Sequence, residues 1–153
     1  GVSMGAATTM CLSGEALPDY VRCFVEDCGY TSVWDEFSGQ LSEQFGLPEF
    51  PLLYSTSILC RLVNGWSFGE ASPLRQVAKC NRPTLFIHGD ADGWAAMNSV
   101  KCWEKMRAMG VQSELHTLAP RKHCFQRASS PGTGSYTFLD RIWEFLTEKG
   151  LNK

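Results

Sequence analysis

Three short apolar runs, "VRCFVEDCGY" (21–30), "RPTLFIHG" (82–89) and "SELHTLA" (113–119), are separated from one another by stretches of helical character. No other feature narrows the fold as much. Runs this short suit strands, and strands separated by helices are joined by crossovers rather than by tight hairpins. They must then lie parallel, with helices packed over the sheet, so the expected class is α/β. The first run carries apolar residues in succession, as a buried parallel strand does. The third has an alternating character.

The intervening segments read as helices. In "MGAATTMCLSGEAL", Met4, Ala7, Met10 and Cys11 fall at helical spacing, and Gly14 and Pro18 end the pattern. Thr31 or Ser32 can cap a helix bearing Val33, Trp34, Phe37 and Leu41. Pro48 and Pro51 then open a second helix through Leu53, Ile58, Leu59 and Leu62. Two helices between consecutive strands exceed a minimal crossover, so residues 31–66 read as a lid over a site. Trp34, Phe37 and Phe45 are expected to pack this lid on the core. Ser72 and Pro73 start a short helix in "SPLRQVAKC". Residues 95–110 form an amphipathic helix with Val100, Trp103, Met106 and Met109 inward, and 135–150 form a closing helix.

With no internal repeat or linker, the 153 residues read as one domain. A net charge of −2 with scattered basic residues gives no footprint for nucleic acid, and no apolar run approaches the roughly 20 residues of a membrane span. Seven cysteines (11, 23, 28, 60, 80, 102 and 124) show no C-x-x-C pair and no zinc-like spacing. They read mostly as free thiols, which favours a reducing compartment such as the cytoplasm. Any signal peptide would lie upstream. No metal or cofactor is expected.

Chemistry enters at residues 1–5, Gly-Val-Ser-Met-Gly. The string G-x-S-x-G describes a sharp strand-to-helix turn that presents a serine hydroxyl. Such a turn demands an acid and then a histidine, each just beyond a later strand. Asp90-Ala91-Asp92 follows "TLFIHG", and His123 follows "ELHTLA". Ser3 needs an imidazole to take its proton, and the imidazole needs a carboxylate to hold its tautomer. The N–H of Met4, the residue after the serine, can serve an oxyanion hole. Asp90 and Asp27 stay open as alternative acids. His88 and His116 read as hydrogen-bonded structural residues, and Cys124 as a bystander. Trp94 takes the place of an oxygen ligand in the D-x-D-G stretch, so calcium is set aside.

"GVSMGAATTM", "CFVEDCGYTSVWDEF", "FPLLYSTSILCRL" and "GWSFGEAS" closely resemble bacterial α/β-hydrolase-fold serine hydrolases, of the group allied to prolyl-oligopeptidase-like peptidases and esterases. The resemblance runs from Gly1 to about Asp92. It implies Ser3 as nucleophile, Asp92 as triad acid and His123 as base, with an acyl ester or a peptide as substrate. From Asp92 onward, "DGWAAMNSVKCWEKMRAMG" and "SPGTGSYTFLDRIWEFL" are similar to sugar-ester esterases of the acetyl-xylan-esterase type. Both groups share fold and triad, so a serine esterase is expected, with a serine peptidase and a non-catalytic binding module as alternatives.

An elbow needs a strand running into it and a second oxyanion donor from an earlier loop. The chain is therefore expected to be the C-terminal portion of such a domain, lacking its N-terminal half, inactive alone and prone to associate. Ser3 is expected to have no strand to strain its turn, and the loop "APRKHCFQ" (119–126) to be mobile.

Overall fold

The computed structural model describes residues 1–89, 94–118 and 138–151. In it β1 (Phe24–Asp27), β2 (Thr84–Gly89) and β3 (Ser113–Leu118) form one parallel sheet in the order β1-β2-β3. The helices are α1 (Met4–Ser13), α2 (Val33–Phe45), α3 (Leu52–Asn64), α4 (Pro73–Val77), α5 (Trp94–Ala108) and α6 (Phe138–Glu148). The α/β class expected from the three apolar runs is the one observed. Central β2 is buried along its whole length, which accounts for its almost unbroken apolar run.

Strand alternation sorts the core into two layers. Phe24 and Phe86 point to one face, where Met10 of α1, Val77 of α4, and Cys102 and Met106 of α5 close over them. Leu85 and Ile87 point to the other and meet Phe145 of α6. Glu114 of β3 ties α6 down through Arg141 and through Lys149 at 2.7 Å.

Several helix faces differ from those the spacing predicts. α1 buries Ala6, Ala7, Met10 and Ser13, while Met4 is 71% exposed, because Met4 sits at the rim of the turn that starts the helix. α5 ends at Ala108 and Gly110 takes φ 74, so Met109 swings to the surface and Val111 packs on the core instead. In α3 only Leu53 and Ser57 are buried; Ile58, Leu59 and Leu62 are exposed, as is Phe45 at the end of α2. These residues belong to the layer farthest from the sheet.

The outer side of β1 carries one more piece of extended chain. Val2 bridges Asp27 in parallel, Asp27 N–H donates to Gly1 O at 2.9 Å, and Ser3 N–H donates to Asp27 O at 2.7 Å. Residues 1–3 thus run into α1 as a strand end would. This corrects the expectation that Ser3 lacks a strand to strain its turn.

Candidate active site

Ser3 stands where that extended segment meets α1. Its backbone takes φ 53 and ψ −119, outside the regions open to a residue with a side chain at little cost. The strain is held from both sides. Ser3 N–H is fixed to Asp27 O, while Gly5 N–H donates to Val2 O at 2.8 Å and Ala7 N–H to Ser3 O at 3.1 Å. The Ser3 hydroxyl does not cap the helix it precedes, although serine is a preferred cap. Gly1 is required by close approach: a Cβ there would lie 2.1 Å from Gly5 O. Met4 opens the first turn of α1, where backbone N–H groups have no intrahelical acceptor.

Beneath this turn, β1 ends in Glu26-Asp27-Cys28-Gly29. Cys28 reverses the chain with φ 57, and its thiol donates to Asp27 Oδ1 at 3.0 Å. Glu26 is fully buried on the face toward α5, and its Oε2 accepts from Gly29 N–H at 3.0 Å. Burial pushes the Glu26 carboxyl up to about 8, against the hydrogen bonds from Gly29 and Ser99. Gly29 has no room for a side chain, since a Cβ would meet Met10 Cε at 2.4 Å and Glu26 Oε2 at 2.5 Å. Ser99 also meets His88 Nδ1 at 2.7 Å, so His88 is the buried, hydrogen-bonded residue expected. His116, midway along β3, is half-buried; burial, then the charge of Arg141, pushes its imidazole down.

Ser3 and Met4 line a cavity of about 730 Å³ whose far walls are α2, α3 and the segment after α3. Val33 and Phe37 of α2 face Leu59 and Val63 of α3 across it, and Trp66 and Phe68 close one end. Phe37 and Phe68 stand edge-to-face at 5.0 Å. Ser32, not Thr31, caps α2, its Oγ accepting from Asp35 N–H at 3.0 Å. Thr31 holds the root of α2 from other directions: its carbonyl accepts from Ser72 Oγ and from Leu74 N–H, each at 3.1 Å, and its hydroxyl lies 3.3 Å from Asn98 Oδ1. Trp34 packs edge-on against Tyr54 at 4.9 Å, joining α2 to α3.

Of the residues the sequence singles out, the structure brings Ser3 and Met4 together at this cavity. Asp92, His123, the alternative Asp90, Cys124 and the 119–126 loop lie outside the described residues. Tyr30, Trp66 and Phe68 line the cavity without having been singled out. For Trp66 and Phe68 the signal was an aromatic pair held between Gly65 and Gly69. A second groove, of about 630 Å³, runs along β3 between Trp103 and Arg141, two strands away from Ser3. Among the described residues, no cluster of side chains could hold a metal ion, and no helix is long and apolar enough to cross a membrane.

Solved structures share this fold. Pyrococcus horikoshii acylaminoacyl peptidase matches 98% of the chain with a TM-score of 0.63 at 15% identity, over 22% of its own length. The Thermogutta terrifontis esterase Est2 matches 99% with a TM-score of 0.63 at 20% identity, over 54% of its length. An acetyl ester-xyloside bifunctional hydrolase from Caldicellulosiruptor lactoaceticus matches 99% with a TM-score of 0.62 at 18% identity, over 56% of its length. The chain has part of an α/β-hydrolase fold. In sequence, the uncharacterized protein YqkD of Bacillus subtilis is 31% identical over 147 residues, which is 95% of this chain and 46% of that protein. The chain therefore spans about half the length of this relative. No family profile matches the chain.

Proposed function

We propose that this α/β-hydrolase chain carries the catalytic serine of an ester hydrolase working through an acyl-enzyme. One observation carries the reading: Ser3 is held at φ 53, between an extended segment and a helix, on the lip of a cavity. Backbone strain of this kind costs about 1–3 kcal/mol and persists where the surroundings enforce it, which is commonly at functional sites.

In the proposed reaction His123 takes the proton of Ser3 as Oγ bonds to the scissile carbonyl carbon. Asp92 orients His123 and stabilises the imidazolium. The carbonyl oxygen, now an oxyanion, accepts a hydrogen bond from Met4 N–H. The C–O bond to the alcohol breaks, and His123 passes its proton to the departing oxygen. Water, activated by the same imidazole, then releases the acid and restores Ser3. Atoms balance as ester plus water giving acid plus alcohol, with no metal or cofactor. Residues 31–66 act as the lid, shaping the pocket and excluding water.

The test is covalent labelling of the full-length protein by a fluorophosphonate, with ester turnover measured alongside. Labelling and turnover that both vanish in Ser3→Ala are the expected result. A protein that neither labels nor turns over an ester or an anilide is a binding module instead.

A further inference from the structure

Resting on the hydrolase reading, we propose that the cavity between Ser3 and the α2–α3 pair selects esters carrying an apolar chain or ring beside the scissile carbonyl. Acetyl groups and polar sugars are then poor occupants. The cavity has the size of a small-molecule pocket, about 730 Å³. Its wall opposite Ser3 is built from Val33, Phe37, Leu59, Val63, Trp66 and Phe68. None of these offers a hydrogen bond except through the Trp66 indole. An acetyl group would leave most of that wall in water, whereas a longer chain would cover it.

The polar groups on the same wall do not alter this. Gln40 Nε2 donates to Glu36 Oε1 at 2.6 Å, Thr56 Oγ1 to Leu52 O at 2.8 Å and Asn64 Nδ2 to Cys60 Sγ at 3.7 Å, so the polar residues of α2 and α3 that line the cavity are engaged within their own helices. Glu36 still brings a negative charge to the cavity, and burial, followed by that charge, raises the phenol of Tyr30 on the same wall. An acyl group ending in a carboxylate would meet that charge. A neutral apolar group would not.

Each methylene moved from water onto such a wall raises kcat/KM about two- to fourfold. A six-carbon chain, with four more methylenes, should therefore outpace a two-carbon one by roughly 15- to 250-fold.

The experiment uses the full-length protein and two ester series. One varies the acyl chain from acetate to octanoate on a constant p-nitrophenol; the other varies the alcohol from methyl to octyl on a constant acetate. Val63→Trp fills the cavity from an exposed helix position, so it should fold. Leu62→Trp, on the same helix but outside the cavity lining, is the control. The expected result is a rise of at least tenfold along one series, with the hexanoate-to-acetate or hexyl-to-methyl ratio falling at least tenfold in Val63→Trp and holding in Leu62→Trp. A rise along the acyl series places the chain on the acyl side, and a rise along the alcohol series places it on the leaving-group side. Two flat series, or a ratio untouched by Val63→Trp, overturn the inference while Ser3-dependent turnover leaves the hydrolase reading standing. Loss of Ser3-dependent turnover altogether overturns both.

Discussion

Glu26 is enclosed between β1, the Gly29 turn and α5, with no exposed surface. Its folded pKa of about 8 lies above the ordinary value of 4.5, so the folded state binds its proton more tightly than the unfolded chain does. Below about 4.5 both states hold the proton and the group is neutral in effect. As pH rises from 4.5 through 8 the unfolded chain gives the proton up first, so stability falls across that window, and above it the full loss is felt. The neighbouring charge of Asp27 adds to the rise. Glu26→Gln should flatten the decline, and thermal melts of both proteins from pH 5 to 9 would show it. Equal slopes would mean that Glu26 is ionised throughout. At the same scale, the triad proposal distinguishes two neighbouring aspartates. In the full-length protein Asp92→Asn should lower kcat by up to about 10⁴-fold, as a wrong-tautomer histidine does, while Asp90→Asn stays mild. The reverse pattern would reassign the acid.

Helices α2 and α3 differ in how they are held. The root of α2 is tied to α4 and α5 through Thr31 and Ser72, and capped by Ser32. α3 buries only Leu53 and Ser57, and reaches α2 through the Trp34–Tyr54 pair, while Ser38 of α2 donates at 2.5 Å to Glu49 in the segment just before α3. At its far end Arg61 pairs with Glu70, holding that carboxyl down at about 2, but both side chains are exposed and the pair is worth little. Amide exchange should therefore be fastest at the middle and end of α3, slower in α2 and slowest in β2. Protection of residues 58–64 equal to that of residues 84–89 would contradict this. Ser32→Ala should cost about 1 kcal/mol, the usual value of a lost side-chain cap, measured by denaturant unfolding.

Across the molecule, apolar surface is unevenly spread. Phe50, Ile58, Leu62 and Val63 are all more than 60% exposed and all sit on or just before α3. Scattered apolar residues are normal on a surface, but a contiguous set favours association. The 153-residue chain is expected to self-associate at micromolar concentration in sedimentation velocity, and Ile58→Lys with Leu62→Lys should shift it toward monomer. An unchanged distribution would show that this face does not drive the contact.

Much of this architecture was legible in the chain. The parallel sheet followed from the spacing of three apolar runs, and the caps at Ser32 and Ser72 and the stop at Gly14 are local backbone chemistry acting within a few residues. The turn at Ser3 could be named from five residues, because the first glycine answers a contact only four positions away. Periodicity was a poor guide to which helix faces are buried: Met109 and most of the apolar face of α3 point outward, since spacing says that a face exists and not what covers it. The cavity joins residues 3 and 4 with residues from 30 to 68, and the Glu26–Ser99–His88 cluster joins two strands and a helix. Such neighbours are brought together by the packing of helices on the sheet, which depends on the sum of many weak contacts. No local pattern encodes that sum, so only the tertiary structure decided what Ser3 faces.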